Sequence, residues 1–103
     1  MSLSLQEYLA KVTAGELNPQ QEALHSLKNL KEKNAELFPF VRTHDTFIEK
    51  NRDQIVQGEL KGAPIGIKDN IMLEGEISSC GSKMLENYVA PYTATCVSKL
   101  IKA

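Results

Sequence analysis

Residues 60–70 read LKGAPIGIKDN, a short apolar run entered through Gly62 and left through Asn70, with Lys68 near its end. Ile65 and Ile67 alternate with Gly66 and Lys68, the period of a strand, which puts the isoleucines on one face and the lysine on the other. These residues leave two readings of Lys68 open. An ammonium at the end of an inward strand, with glycines leaving room beside it, is desolvated, and burial disfavours its charged form so that it can act as a base. The alternative is an exposed lysine at a strand end, with Asp69 and Asn70 making the turn that follows. Taken alone, the local sequence favours the exposed lysine.

The rest of the chain sets the frame. Its 103 residues, 42% hydrophobic and 24% charged, fit one small domain of ordinary globular composition. A net charge of −1 gives no overall field to gather nucleic acid or an anionic membrane. No apolar run approaches the ~20 residues of a membrane span, and the start MSLSLQEYL lacks the basic region of a secretory signal, so the expected setting is the cytoplasm, with no membrane partner. Cys80 and Cys96 are too far apart for a redox pair and lack the second pair a zinc site needs, which makes them candidate buried thiols. His25 and His44 have no companions at ligand spacing. No metal site is expected.

In chain order, Ser4 with Glu7 is a capping-box pattern ahead of Leu5, Tyr8, Leu9 and Val12, a short amphipathic helix stopped by Gly15. Asn18 and Pro19 open a second helix, expected to run to about Asn34 with Ala23, Leu24, Leu27 and Leu30 on one face. Its lysines are interleaved with glutamates and read as a solvated surface rather than an RNA-contacting one. Phe38 to Thr43, FPFVRT, reads as a strand, with Pro39, which cannot donate to a ladder, at its start or on an edge. Thr46 with Glu49 repeats the capping box before Phe47, Ile48, Ile55 and Val56, a helix ending at Gly58. Strand, helix and the lysine strand would form a crossover unit, with the two isoleucines facing packed helix. Beyond Ile71 come Gly75, the Ser78–Ser82 cluster and a possible helical turn over Lys83 to Asn87. Small residues beside a functional strand can line a pocket, but they equally make ordinary loops, and no serine here sits in a Gly-x-Ser-x-Gly elbow. Thr93 is a candidate cap for a last helix carrying Cys96, Val97, Leu100 and Ile101 on one face.

Two runs, LKGAPIGIKDNI at 60–71 and SSCGSKMLENYVAPYTATCVSKL at 78–100, resemble the amino-terminal part of the amidase signature family, most closely the A subunits of its tRNA-dependent amidotransferases. Ser78 and Ser79 stand where threonines are usual there. The resemblance implies an α/β fold: the amino-terminal portion of the amidase signature fold, helices plus the first strands of a mixed sheet, incomplete as a domain. On this reading residues 1–103 form one truncated domain, with a mainly helical lead segment at 1–58 and the lysine strand, loop and final helix at 59–103.

The resemblance also implies a mechanism. Family members use a Ser-cisSer-Lys triad, and Lys68 falls on the lysine position, which raises the base reading over the exposed one. Both triad serines and the oxyanion amides lie in a glycine- and serine-rich segment downstream of Ala103, so Ser78, Ser79 and Ser82 inherit no role. The implied activity is glutaminase chemistry whose ammonia passes to a B-type partner, with a C-type partner beside it. Transfer RNA is met only indirectly, and ATP and Mg²⁺ are used at the partner, no cofactor being held by this chain. By itself the chain is expected to be inactive, and open sheet edges are expected to drive self-association. The competing expectation is a non-catalytic binding or assembly module that retains the amidase lead segment.

Overall fold

A computed structural model describes residues 3–103, which divide into two compact units, one reaching to Pro64 and including Ala103, the other spanning Ile65–Lys102. In chain order the helices are α1 (Leu5–Thr13), α2 (Pro19–Leu37), α3 (Asp45–Ile55), a single 3₁₀ turn at Lys83–Leu85 and α4 (Thr95–Lys102).

The first unit is helical because its caps are written into the sequence. Ser4 accepts the Glu7 amide at 3.3 Å, and the Glu7 carboxylate reaches back to the Ser4 amide at 2.8 Å, so two orphan donors of α1 are satisfied reciprocally. The Ser4 amide and then its hydroxyl hold the Glu7 carboxyl below the usual carboxylate range. Asn18 caps α2 through the Gln21 amide at 3.1 Å, with Pro19 in the first turn. That helix runs past Asn34 to Leu37, and Phe38 closes it in a left-handed conformation, φ 49°. Lys31 of α2 pairs with Asp45 at the start of α3, and this bond is the main reason the Asp45 carboxyl lies below its ordinary range.

Several expectations from sequence are corrected here. Among the described residues there is no β-strand; the sole ladder contact is an isolated antiparallel bridge between Ile77 and Val89. Phe38–Thr43 does not pair because its backbone is used to end α2: the Phe38 amide donates to the Asn34 carbonyl and the Phe40 amide to the Asn34 side chain. In 60–70 the first half is a turn, with Lys61 at φ 51° and Gly62 at φ 72°, and only the stretch after it is extended. Without two strands there is no crossover unit, and Ile65, 49% exposed, does not face a packed helix. The Thr46–Glu49 capping box does not form, because α3 starts two residues earlier than that cap requires, with His44 as N-cap. Thr93 does not cap α4; its hydroxyl accepts the Glu74 amide at 3.0 Å, and the first bond of α4 runs from the Ser98 amide to the Ala94 carbonyl. Both cysteines are exposed rather than buried. Leu24, Leu100 and Ile101 also stay substantially exposed, leaving Ala23 and Val97 as the buried residues of their helices.

The core of the first unit rests on Tyr8, buried on α1, whose phenol donates to the Lys61 carbonyl at 2.9 Å. Burial, and secondarily the negative charge of Glu22, raise the Tyr8 pKa above its ordinary 10.0. The fold therefore favours the neutral phenol, and the stability this contributes is complete below pH 10.0 and lost as the pH climbs through the raised value. Tyr8→Phe is expected to cost about 1 kcal/mol in urea unfolding at neutral pH, the net worth of one hydrogen bond. It should also make the alkaline loss of stability shallower than in the wild type; equal slopes above pH 10.0 would show that Tyr8 does not govern it.

Candidate functional site

Lys68 lies in the second unit, at the junction of an unbonded stretch and a tight turn. Pro64 has no amide proton, and Ile65, Gly66 and Ile67 make no backbone hydrogen bond among the described residues. The chain then turns, the Ile71 amide donating to the Lys68 carbonyl at 2.9 Å, with Asp69 and Asn70 in the central positions that suit these residue types. The lysine is exposed, and its ammonium has no hydrogen-bond or ion-pair partner among the described residues. The turn expected from the Asp-Asn pair is therefore present, while the desolvated environment is not provided by these residues.

Asp69 is the residue around which the site is built. Its Oδ1 accepts the Ser79 amide at 3.0 Å, and its Oδ2 accepts the Ser79 hydroxyl at 2.5 Å and the Gly81 amide at 3.1 Å. Its backbone carbonyl accepts the Ser78 hydroxyl at 2.9 Å and the Cys80 amide at 3.3 Å. The Ser82 amide closes a tight turn onto the Ser79 carbonyl at 2.8 Å, with Cys80 at φ 50° and Gly81 at φ 68° in its centre. Positive φ at both central residues is the type I′ pattern, and open space around Gly81 shows that backbone conformation, not crowding, calls for glycine. Cys80 carries a side chain in the same left-handed region, a cost of roughly 1–2 kcal/mol that the bonds to Asp69 offset.

A second arm holds this loop from behind. The Ser78 amide donates to the Tyr88 carbonyl at 3.0 Å, and the Ala90 amide to the Glu76 carbonyl at 2.9 Å, on either side of the Ile77–Val89 bridge. Leu73, Ala90 and Val97 are the buried apolar residues of the unit.

The serines considered as nucleophiles fall into place as structure. Ser78 and Ser79 are buried, with hydroxyls committed to Asp69, which fits the loop reading. Sequence reading missed Asp69 as a clamp. The signal was present: a carboxylate nine residues before a Ser-Ser-Cys-Gly run rich in short donors. Among the described residues no group of three or more His, Cys, Asp and Glu is arranged to hold a metal, and no helix is long and apolar enough to cross a membrane.

This lysine turn and serine loop lie within residues 21–103, which match the amidase family, and the chain belongs to that family. It is similar to the A subunit of glutamyl-tRNA(Gln) amidotransferase from Alcanivorax borkumensis, 38% identical over 94% of this chain and 22% of that protein. The same-named protein of Methylacidiphilum infernorum is 32% identical over 98% of this chain and 21% of its own length. That of Ruminiclostridium cellulolyticum is 61% identical over 40% of this chain and 8% of its own. The chain thus spans about a fifth of the length of the relatives it matches most fully. No solved structure matches it.

The clamp's need for a full carboxylate can be tested. Both Asp69 oxygens face backbone amides, so asparagine in either orientation sets its NH₂ against an N–H. Asp69→Asn is expected to lower stability in urea by about 1.5–3 kcal/mol, the range for hydrogen bonds to a charged group. A loss within a few tenths of wild type would show that the clamp is not charge-dependent.

Proposed function

We propose that this chain supplies the lysine of an amide-hydrolysing site, as the lead segment of a glutaminase subunit in tRNA-dependent amidation. The observation that carries the reading is the position of Lys68 on the family's lysine motif, within the matched region and on a turn that leaves its ammonium without a partner among the described residues. In this mechanism Lys68 takes a proton through a middle serine held by a cis peptide, while a second serine attacks the amide carbonyl. Ammonia leaves for a B-type partner, assisted by a C-type one, where ATP and Mg²⁺ activate the glutamyl-tRNA. The setting is the cytoplasm.

Residues 1–103 alone bring the lysine but no serine in a triad position. Without an activated nucleophile and an oxyanion hole, the latter commonly worth about 10²–10³ in rate, the lysine has nothing to assist. The 103-residue chain is therefore expected to release no ammonia from glutamine. When it replaces the matched segment of the Alcanivorax borkumensis protein, glutaminase activity should return, and Lys68→Ala should lower kcat by about 10²–10⁴. Wild-type kcat in the Lys68→Ala chimera would remove Lys68 from the mechanism.

A second reading, a non-catalytic assembly module, is favoured by the apolar tract at the end of α2 and just beyond it, where Leu37, Phe38 and Val41 are 68%, 77% and 73% exposed. A chimera that assembles with its partners but stays inactive with Lys68 intact would support it. Self-association belongs to either reading. In place of sheet edges, the backbone of Ile65, Gly66 and Ile67, unbonded among the described residues, offers the pairing groups. Light scattering at high concentration should find dimers or larger species, and monomer alone would count against this contact.

A further inference from the structure

We infer that Asp69 is the positioning residue for Lys68, fixing the point from which the lysine side chain projects. This rests on the reading of Lys68 as the reactive lysine, but it is carried by the backbone around it. Upstream, Ile65, Gly66 and Ile67 make no backbone hydrogen bond among the described residues, so nothing in their own ladder holds Lys68. Downstream, the Lys68–Ile71 turn is pinned through the next residue, whose carboxylate and carbonyl accept five donors from Ser78, Ser79, Cys80 and Gly81. Lys68 is thus the last residue of a free stretch, joined to a fixed one by a single peptide.

The same geometry separates a positioning role from a purely structural one. A structural clamp would order only residues 78–81, and loosening it would leave the lysine backbone as it was. A positioning clamp transmits to Lys68 through the one bond between the two residues. The burial of Ser78 and Ser79 keeps their three donors away from competing water, so the constraint acts continuously on the turn.

The test is ¹⁵N relaxation on the 103-residue chain. The wild type is expected to give a Lys68 amide order parameter of about 0.85, and Asp69→Asn to drop it below about 0.6 while Val97 in α4 keeps its wild-type value. An unchanged Lys68 value in Asp69→Asn, with the Gly81 amide losing protection from exchange, would overturn the inference and leave Asp69 a structural clamp. Should Asp69→Asn also lose order at Val97, Ser79→Ala decides, since it removes one donor and leaves the backbone bonds. A fall at Lys68 with Val97 intact supports positioning, and no fall overturns it. None of these outcomes depends on glutaminase activity, so failure of the lysine's chemical role, read in the Lys68→Ala chimera, stays distinguishable from failure of this inference.

Discussion

The hydrogen bonds that converge on Asp69 are the constraint on which the second unit depends. Its buried apolar residues are few and of modest size, Leu73, Ala90 and Val97, and fully burying one leucine or valine contributes about 1.5–3 kcal/mol. A hydrogen bond to a charged acceptor is worth a similar amount, about 1.5–3 kcal/mol, and the carboxylate accepts from Ser79 twice and from Gly81 once. Polar anchoring and apolar burial are therefore comparable in this unit. The clamp also explains how Cys80 tolerates a left-handed backbone: the strained residue donates its own amide to Asp69.

For function, the consequence is a division of labour between neighbours. Lys68 is exposed and without a partner among the described residues, while Asp69 takes up the donors of residues 78–81. A lysine that is to accept a proton has to be shielded from water, and the described residues do not shield it. Both neighbours lie within residues 21–103, the part of the chain that matches the amidase family.

Local features were legible in the sequence, and features that need a distant partner were not. Ser4 with Glu7 and Asn18 with Pro19 specify helix starts through contacts three residues apart, and both form as read. The same Thr-x-x-Glu pattern at Thr46 misleads because Asp45 is drawn into the pair with Lys31, and α3 begins there instead. The strands were misread for a deeper reason. Alternation at Ile65 and Ile67 states which face a residue would occupy, but a strand exists only where another backbone answers it, and none does among these residues. Asp69 was read as a turn residue, correctly, yet its role as acceptor for residues 78–81 depends on the chain folding back over residues 71–77, which the short donors of the Ser-Ser-Cys-Gly run permit but do not specify. The exposed thiol of Cys80 has the same origin, since its place in the I′ turn follows from that return.

The spans of these contacts also order the events of folding. The bond that ties Tyr8 to Lys61 closes a separation of 53 residues, whereas the Asp69 bonds to Ser78 and Ser79 close separations of 9 and 10. On loop-closure entropy the longer closure is costlier by about 1.5 kcal/mol, and short-range contacts form first. The turn that carries Lys68 is therefore expected to be assembled early, while the first helix is still searching for its carbonyl.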